Sequence, residues 1–510
     1  MYFQKLLLAV ASALYFTLSV SSTIIDPKGN ITLVEGEPYF TFDYETPEPH
    51  EKNWIGLYED AGVGLIINWA EKYSKNSAAW VYAPESKGRV KVPVGNLRPG
   101  RYTAFFHAKD GYDWLSWPFD VYFIEEPKTG LEFVVDEITL PPARGGDSYG
   151  ANIGGLIRGG SKGVTFHQGT NLPGWLDITK EGGLGGRPGR RARDLTFTVY
   201  AKRGESMASL KVHLPVRGRT QVKVPELRIM SMNLWFGGTR FSEYHEKQLR
   251  FIIKSKADII GIQEDHGGDR AKALAEALGW YYWASKESHS ILSKFPIQIT
   301  TGNINKSGGA LIELDGEWQM VNFWVAHLNY TPYGPYNFCF DGMSADEVMQ
   351  SEYDSGRPTE IEDTLSSMGR ELENTDDVPV FLVGDFNAPS HLDWTDKHKH
   401  CGQGKFDWPT SKKPLEAGLI DSYRVAYPDP SADEGITYSS ITPWNEDYGK
   451  AEPQERLDFI YHKGSMLEVV DSWVMMAGKP NHVLDEWTSD HAAVMTLYKF
   501  VYEMGELKRR

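Results

Sequence analysis

Residues 381–387 read FLVGDFN. Phe381, Leu382 and Val383 are the apolar run of a sheet core, yet Gly384 is followed at once by Asp385, Phe386 and Asn387. A strand that ends in a carboxylate and a carboxamide sets both on rigid backbone where the core meets solvent, the place from which side chains act on a ligand. Other apolar runs in this half of the chain end the same way. LRIMSMN (227–233) delivers Asn233, DIIGIQE (258–264) delivers Glu264 and QMVNFWVAH (319–327) delivers His327. RLD (456–458) places Asp458, and SDH (489–491) presents Asp490 and His491 just before a last strand-like run, AAVMTLY (492–498).

One polar strand end usually just meets water, but so many in one region need a common cause. If they converge, the carboxylates of Glu264, Asp385, Asp458 and Asp490 repel one another and resist desolvation, so protons or a cation must compensate them. A set of Asp, Glu and Asn without thiolate favours a hard ion, Mg²⁺, Mn²⁺ or Ca²⁺, over zinc. His327 and His491 are then free for proton and hydrogen-bond work.

The rest of the chain bounds this reading. Its 510 residues, 41% hydrophobic and 13% aromatic, are enough for roughly three domains at ~150 residues each. The net charge of −16 argues against a protein that coats nucleic acid, though an enzyme can still touch a few phosphates through a metal. Residues 1–22, with Lys5 followed by a short apolar run and then Ser21 and Ser22, have the layout of a secretory leader too short to span a bilayer. The mature chain is therefore expected to be soluble and extracellular. Sequons at Asn30, Asn305 and Asn329 permit glycosylation there.

Residues 23–126 alternate aromatic and β-branched residues with polar ones between turn signals, which predicts a small β-sandwich. Trp54, Trp69, Trp80, Trp114 and Trp117 are a carbohydrate or membrane platform or, more simply, core and ordinary surface aromatics. Residues 127–224 repeat the β character with more glycine, and PGWLDITKEGGLGGRPG followed by LTFTVYAKRG loosely resembles bacterial-type immunoglobulin-like modules. Arg187, Arg190, Arg191 and Arg193 form a basic cluster there, suited to phosphate or sulfate polymers or, more simply, a solvated loop. From 225 to 510, strand-like runs alternate with helical ones such as EKQLRFIIKSK (246–256), where Leu249, Ile252 and Ile253 share one face.

Taken in order, Asn233, QE at 263–264, ILSKFPI at 291–297, HLN at 327–329, GDFN at 384–387, RLDFIY at 456–461 and SDH at 489–491 resemble the endonuclease/exonuclease/phosphatase superfamily with its deoxyribonuclease-I-like fold. The resemblance spans about residues 226–500. It implies a four-layered α/β sandwich behind two N-terminal β modules, and a metal-dependent phosphoesterase whose site lies at one end of two packed sheets. It further implies that Glu264 is the principal metal ligand with Asn233 and Asp490 beside it, and that Asp385 orients or activates water. Asn387 would hold a phosphate oxygen and His327 would stabilise the phosphate or protonate the leaving group. His491, polarised by Asp458, would be the second catalytic histidine. His266 and His289 stand as candidates for the rim.

Cys339 follows the strand carrying His327 and Cys401 follows the one carrying Asp385, so a bond between them would tie two walls of the cleft if both loops leave the sheets at one end. GDFN differs from the GDLN of the inositol phosphatase and abasic-endonuclease branches, and ERLDFIY stands where those carry a WCDR-type stretch. A secreted phosphodiesterase acting on nucleic acid or small diesters is the leading expectation, with surface or polymer contact through the β modules. A sphingomyelinase-like phospholipase is the alternative, for which YTPYGPYNFCF (330–340) is the candidate aromatic hairpin. A secreted binding protein with a disused catalytic domain is the reading from another class, weakened by the undamaged set of polar strand ends.

Overall fold

A computed structural model describes residues 28–34, 40–59, 77–93, 97, 100–123, 130–191, 193–477 and 486–501. The expected leader and Trp69 lie outside these residues. Among those described, no helix is long and apolar enough to cross a membrane.

The N-terminal region is built of strands. A three-stranded sheet (Asn30–Leu33, Thr41–Glu45, Lys87–Lys91) and a four-stranded sheet (Ala79–Tyr82, Trp54–Glu59, Gly100–His107, Phe119–Phe123) share a core that includes Ile31, Phe42, Ile55, Leu57, Ala104 and Phe106. Alternation of side chains along Trp54–Glu59 sends Ile55 and Leu57 into this core and Trp54 to the opposite face, against the exposed Trp80. The glycine-rich stretch that follows also forms sheets, the largest containing Leu195–Arg203 and Ser206–Leu214. Its core does not close on itself. Leu156, Phe197 and Val212 belong to the same buried cluster as Leu249, Ile252 and Leu274 of the C-terminal region. Gly155 permits the contact, since a Cβ there would lie 2.4 Å from the Ala277 Cα. Arg158 adds ion pairs to Glu243 at 2.9 Å and Glu246 at 3.0 Å. The sequence pattern thus changes near residue 225, while the apolar core runs through.

The C-terminal region contains two six-stranded sheets. Its elements begin with β1 (Glu226–Asn233), α1 (Tyr244–Ser255), β2 (Ile259–Gln263), α2 (Asp269–Leu278), β3 (Tyr281–Ala284) and β4 (His289–Ser293). Next come β5 (Ile297–Ile304), β6 (Ser307–Glu313), β7 (Met320–His327), α3 (Arg357–Ser367) and β8 (Val380–Asp385). Then follow β9 (Ile420–Asp421), β10 (Asp458–Lys463), β11 (Leu467–Met475) and β12 (Ala493–Phe500). The sheet orders are β3-β4-β2-β1-β12-β11 and β5-β6-β7-β8-β10-β9. Each centres on one parallel pair, β1 with β2 and β7 with β8, flanked by antiparallel strands.

The period of two along each strand makes the layers. Leu227, Ile229, Phe323, Val325, Phe381 and Val383 face the space between the sheets. Met230 and Met232 face outward onto α1 and α2, and Trp324 and Leu382 onto α3. Gly261 lies where the sheets approach most closely, for a Cβ there would stand 2.3 Å from Val383 Cγ2. Helix, sheet, sheet and helix give the expected four-layered sandwich. The disulfide Cys339–Cys401 is present, with Cα atoms 5.2 Å apart.

Candidate active site

Strand register brings the polar ends together. His327 is the β-ladder partner of Asp385, and Asp385 is in turn the partner of Asp458, so three functional side chains form one row across β7, β8 and β10. Across the sandwich, Asn233 ends β1 and Glu264 follows the last residue of β2. Gly384 is required in the row, since a Cβ there would lie 2.0 Å from the Ala326 carbonyl oxygen. The backbone is strained around the same place, with left-handed φ at Trp235 (48°), Phe236 (53°), Glu264 (57°), His266 (57°) and Asn387 (50°). Such conformations persist where the surrounding structure over-determines them, and they cluster at functional sites.

Asp385 is the hub. Its Oδ2 accepts from Asn233 Nδ2 at 3.0 Å and lies 3.6 Å from His491 Nε2 and 3.8 Å from His327 Nε2. Its Oδ1 accepts the Asn387 backbone N–H at 2.8 Å. His491 Nδ1 lies 2.8 Å from Asp458 Oδ2. Burial alone would lower the His491 pKa, but the carboxylates of Asp458 and Asp385 outweigh it and hold the ring well above its usual range, as an imidazolium. Burial pushes the Asp385 carboxyl up, against the pull of His491.

Glu264 and Asn233 form the second half. Glu264 accepts from Asn233 Nδ2 at 3.2 Å and from the Phe236 backbone N–H at 2.7 Å. Asp490 is pushed up to about 7, first by burial, with the negative charge of Glu264 adding and His491 opposing. Its Oδ1 is sealed from solvent and has no hydrogen-bond partner, as is Asp458 Oδ1. One donor atom each from Asp385, Asp458 and His491 also lie within 4.8 Å of one another, a grouping able to surround a cation and different from the Asn233, Glu264 and Asp490 set expected from sequence. In that grouping the imidazolium already balances negative charge. The repulsion between Glu264 and Asp490, together with the orphaned Asp490 oxygen, makes their side of the site the better fit for a hard cation.

Other expected residues are placed with less direct roles. Asn387 Nδ2 donates to the Leu328 carbonyl at 3.0 Å and, more weakly, to Asp385 Oδ2 at 3.4 Å, so the N–H that reaches a phosphate oxygen is the one now turned to Asp385. His266 is exposed, whereas His289 is buried and is lowered to about 4 by burial. Asn329 donates through Nδ2 to the Ser355 carbonyl at 2.9 Å, which occupies the nitrogen a glycan would need. Residues 330–340 do not form the hairpin considered for a lipid-binding enzyme, because Gly334–Tyr336 and Asn337–Asp341 are helical turns.

Several supporting residues escaped sequence reasoning. Ser489 Oγ donates to the Asn233 carbonyl at 2.7 Å and accepts the His491 N–H at 3.1 Å, joining the two halves; it sits inside SDH, which was the available signal. Thr437 Oγ1 accepts the N–H groups of Leu457 at 3.0 Å and Asp458 at 3.2 Å. The Tyr438 ring lies 5.0 Å from that of His491 and begins a chain of contacts through Tyr333, Tyr336, Phe340 and Tyr448. Thr437 and Tyr438 come from a loop without periodicity and left no readable signal, whereas Tyr333, Tyr336 and Phe340 lie in the aromatic stretch 330–340.

Comparison with known proteins gives the family. The model described as Endonuclease/Exonuclease/phosphatase family matches residues 230–491. The uncharacterized protein F14F9.5 of Caenorhabditis elegans is 33% identical over 294 residues, covering 54% of this chain and 92% of its own. Among solved structures, the human Nocturnin catalytic domain with bound sulfate is 16% identical, covering 54% of this chain and 95% of its own, with a TM-score of 0.35. D. rerio TDP2 complexed with single-strand DNA product is 13% identical, covering 54% and 100%, with a TM-score of 0.36.

Proposed function

The chain belongs to the endonuclease/exonuclease/phosphatase family, and on that premise we propose that it is a secreted, divalent-metal-dependent phosphodiesterase acting on nucleic acid or small diesters. The observation that carries the reading is the His491–Asp458 pair at 2.8 Å beside Asp385. Displacement at phosphorus needs a positioned water, a proton for the departing oxygen and compensation of charge on the transition state. Asp385 accepts the water proton. His491, held protonated, donates from Nε2 to the phosphoryl or departing oxygen while Asp458 fixes its Nδ1 proton. His327 flanks the phosphate from the other side of Asp385. Glu264, Asp490 and Asn233 would hold the cation, Mg²⁺ or a similar hard ion, which supplies charge neutralisation at the phosphoryl oxygens when bound.

A diester carries one negative charge, which the imidazolium of His491 and the cation would compensate together. The aromatic chain that starts at Tyr438 suits a leaving group with a flat ring. The two β regions we read as immunoglobulin-like modules that hold the enzyme on a surface or polymer.

The test is hydrolysis by the purified chain, with Mg²⁺ or Mn²⁺ and with chelator, across a phosphate monoester, a small diester, DNA, RNA and sphingomyelin. Chelator-sensitive diester turnover that outruns monoester turnover supports the reading. Preference for sphingomyelin would replace the substrate, and inactivity on every member with every metal would overturn the assignment.

A further inference from the structure

Outside the active site, the largest unexplained concentration of charge is in the glycine-rich region. Arg190, Arg191, Arg193 and Arg219 line one shallow cavity of about 640 Å³, together with Asp194 and Gln221. All four arginines are exposed, and no carboxylate among the described residues forms an ion pair with any of them. The chain has a net charge of −16 and 69 acidic residues, so four guanidinium groups around one hollow run against its overall charge.

The hollow is also built. Gly146 N–H donates to the Pro188 carbonyl at 2.8 Å, and Gly145 lets the arginine loop sit close, since a Cβ there would lie 2.9 Å from the Gly189 carbonyl. On the other wall, Asp194 Oδ1 accepts the Val216 N–H at 2.8 Å, and Gln221 Oε1 accepts the Gly218 N–H at 2.7 Å. One oxygen of Asp194 and that of Gln221 are thus turned to backbone donors, and Asp194 is the one carboxylate against four arginines in the lining.

We propose that this hollow binds a sulfated polysaccharide and tethers the enzyme to it. A guanidinium presents paired N–H donors to tetrahedral oxyanions, and several set around one hollow match sulfates repeating along a chain. No aromatic ring lines the cavity, so a nucleic acid would find no surface for base stacking. Val216 is the one apolar side chain in the lining and is buried, so the lining offers no exposed apolar side chain to a lipid surface. The hollow also lies away from the chemistry. The strand Val216–Arg217 pairs with Ala143–Arg144, and Arg144 bonds Asp315 at 2.6 Å, in the β6–β7 turn at the end of the sheet opposite His327. A polymer held there leaves the catalytic end open.

The test is retention of the full chain on immobilised heparin, with size-matched duplex DNA as competitor. The parent is compared with a variant carrying Arg190→Ser, Arg191→Ser, Arg193→Ser and Arg219→Ser, and with a charge control carrying Lys162→Ser, Lys180→Ser, Lys202→Ser and Lys211→Ser. The parent and the lysine control should be retained, their affinity falling on the order of 10²-fold between about 50 and 200 mM salt, as expected for about four released counterions. The arginine variant should pass through. Failure of the parent to bind, equal retention of the arginine variant, or equal loss in the lysine control would overturn the proposal. Stronger competition by duplex DNA than by soluble heparin would replace the polysaccharide with nucleic acid. Phosphodiester turnover should match in all three proteins, so the outcome is independent of the proposed activity.

Discussion

His491 is set up by its neighbours as much as by its own chemistry. Two carboxylates hold it protonated, Ser489 fixes its backbone and Tyr438 covers its ring. Replacing His491 by Ala, or Asp458 by Asn, should lower kcat on the best substrate by roughly 10²–10⁴. Thermal melts run in parallel should show a far smaller change than the rate. Behind the site, Arg456 is fully buried and bonded twice to Asp393 (2.9 and 3.0 Å) and twice to Asp421 (3.1 and 2.8 Å), two residues before Asp458. Replacing it by Met leaves buried Asp421 without a counter-charge and Asp393 with Arg424 alone at 2.6 Å, and urea unfolding should show a loss of about 3–5 kcal/mol. At this scale the site was legible because its residues end apolar strands in a fixed order. Ser489, Thr437 and Tyr438 were not, because a residue that supports another through one hydrogen bond or one ring contact leaves no periodic trace.

Among elements, the strands that were easy to read are the buried ones, such as β1, β2, β7 and β8, whose apolar runs are continuous. β5 is an edge strand and β6 its inner neighbour, and their glycines answer a tertiary demand. A Cβ on Gly302 or Gly309 would fall 2.0 or 2.4 Å from the Trp324 ring, so these strands give up propensity to make room for an indole. The Cys339–Cys401 bond links the segments that follow β7 and β8 across a sequence separation of 62. Loop-closure entropy for that span corresponds to roughly 4 kcal/mol. Reduction, or Cys401→Ser, should therefore lower the urea midpoint. An unchanged midpoint would mean that the loops are held by their own packing, Phe338 against Trp394 and Trp408 among it.

Over the whole molecule, the division into β regions and an α/β region could be read from a change in pattern, but the shared core could not. The docking of Leu156 against helices α1 and α2 depends on which faces meet, and no single sequence states that. Buried histidines give the fold a pH dependence. His462 is lowered to about 4 by burial, below the ~6.5 of an unfolded histidine. The unfolded chain binds this proton first as pH falls, so the contribution is complete above about pH 6.5 and disappears toward pH 4, an effect of about 3 kcal/mol. In urea melts at pH 7 and pH 4, the stability of His462→Gln relative to the parent should rise on acidification. A constant gap would show that the histidine does not resist protonation.

The central claim is that one end of the sandwich hydrolyses phosphodiesters with a cation on its Glu264 side and His491 as proton donor. Its most direct measurement is the rate of chelator-treated protein on a small diester as Mg²⁺ is added back, for the parent, Glu264→Gln and His491→Ala. The account predicts recovery in the parent, a demand for much more Mg²⁺ in Glu264→Gln, and near-parental Mg²⁺ dependence with a rate lower by roughly 10²–10⁴ in His491→Ala. A His491→Ala protein as fast as the parent, or activity indifferent to Mg²⁺ and to Glu264, would contradict it.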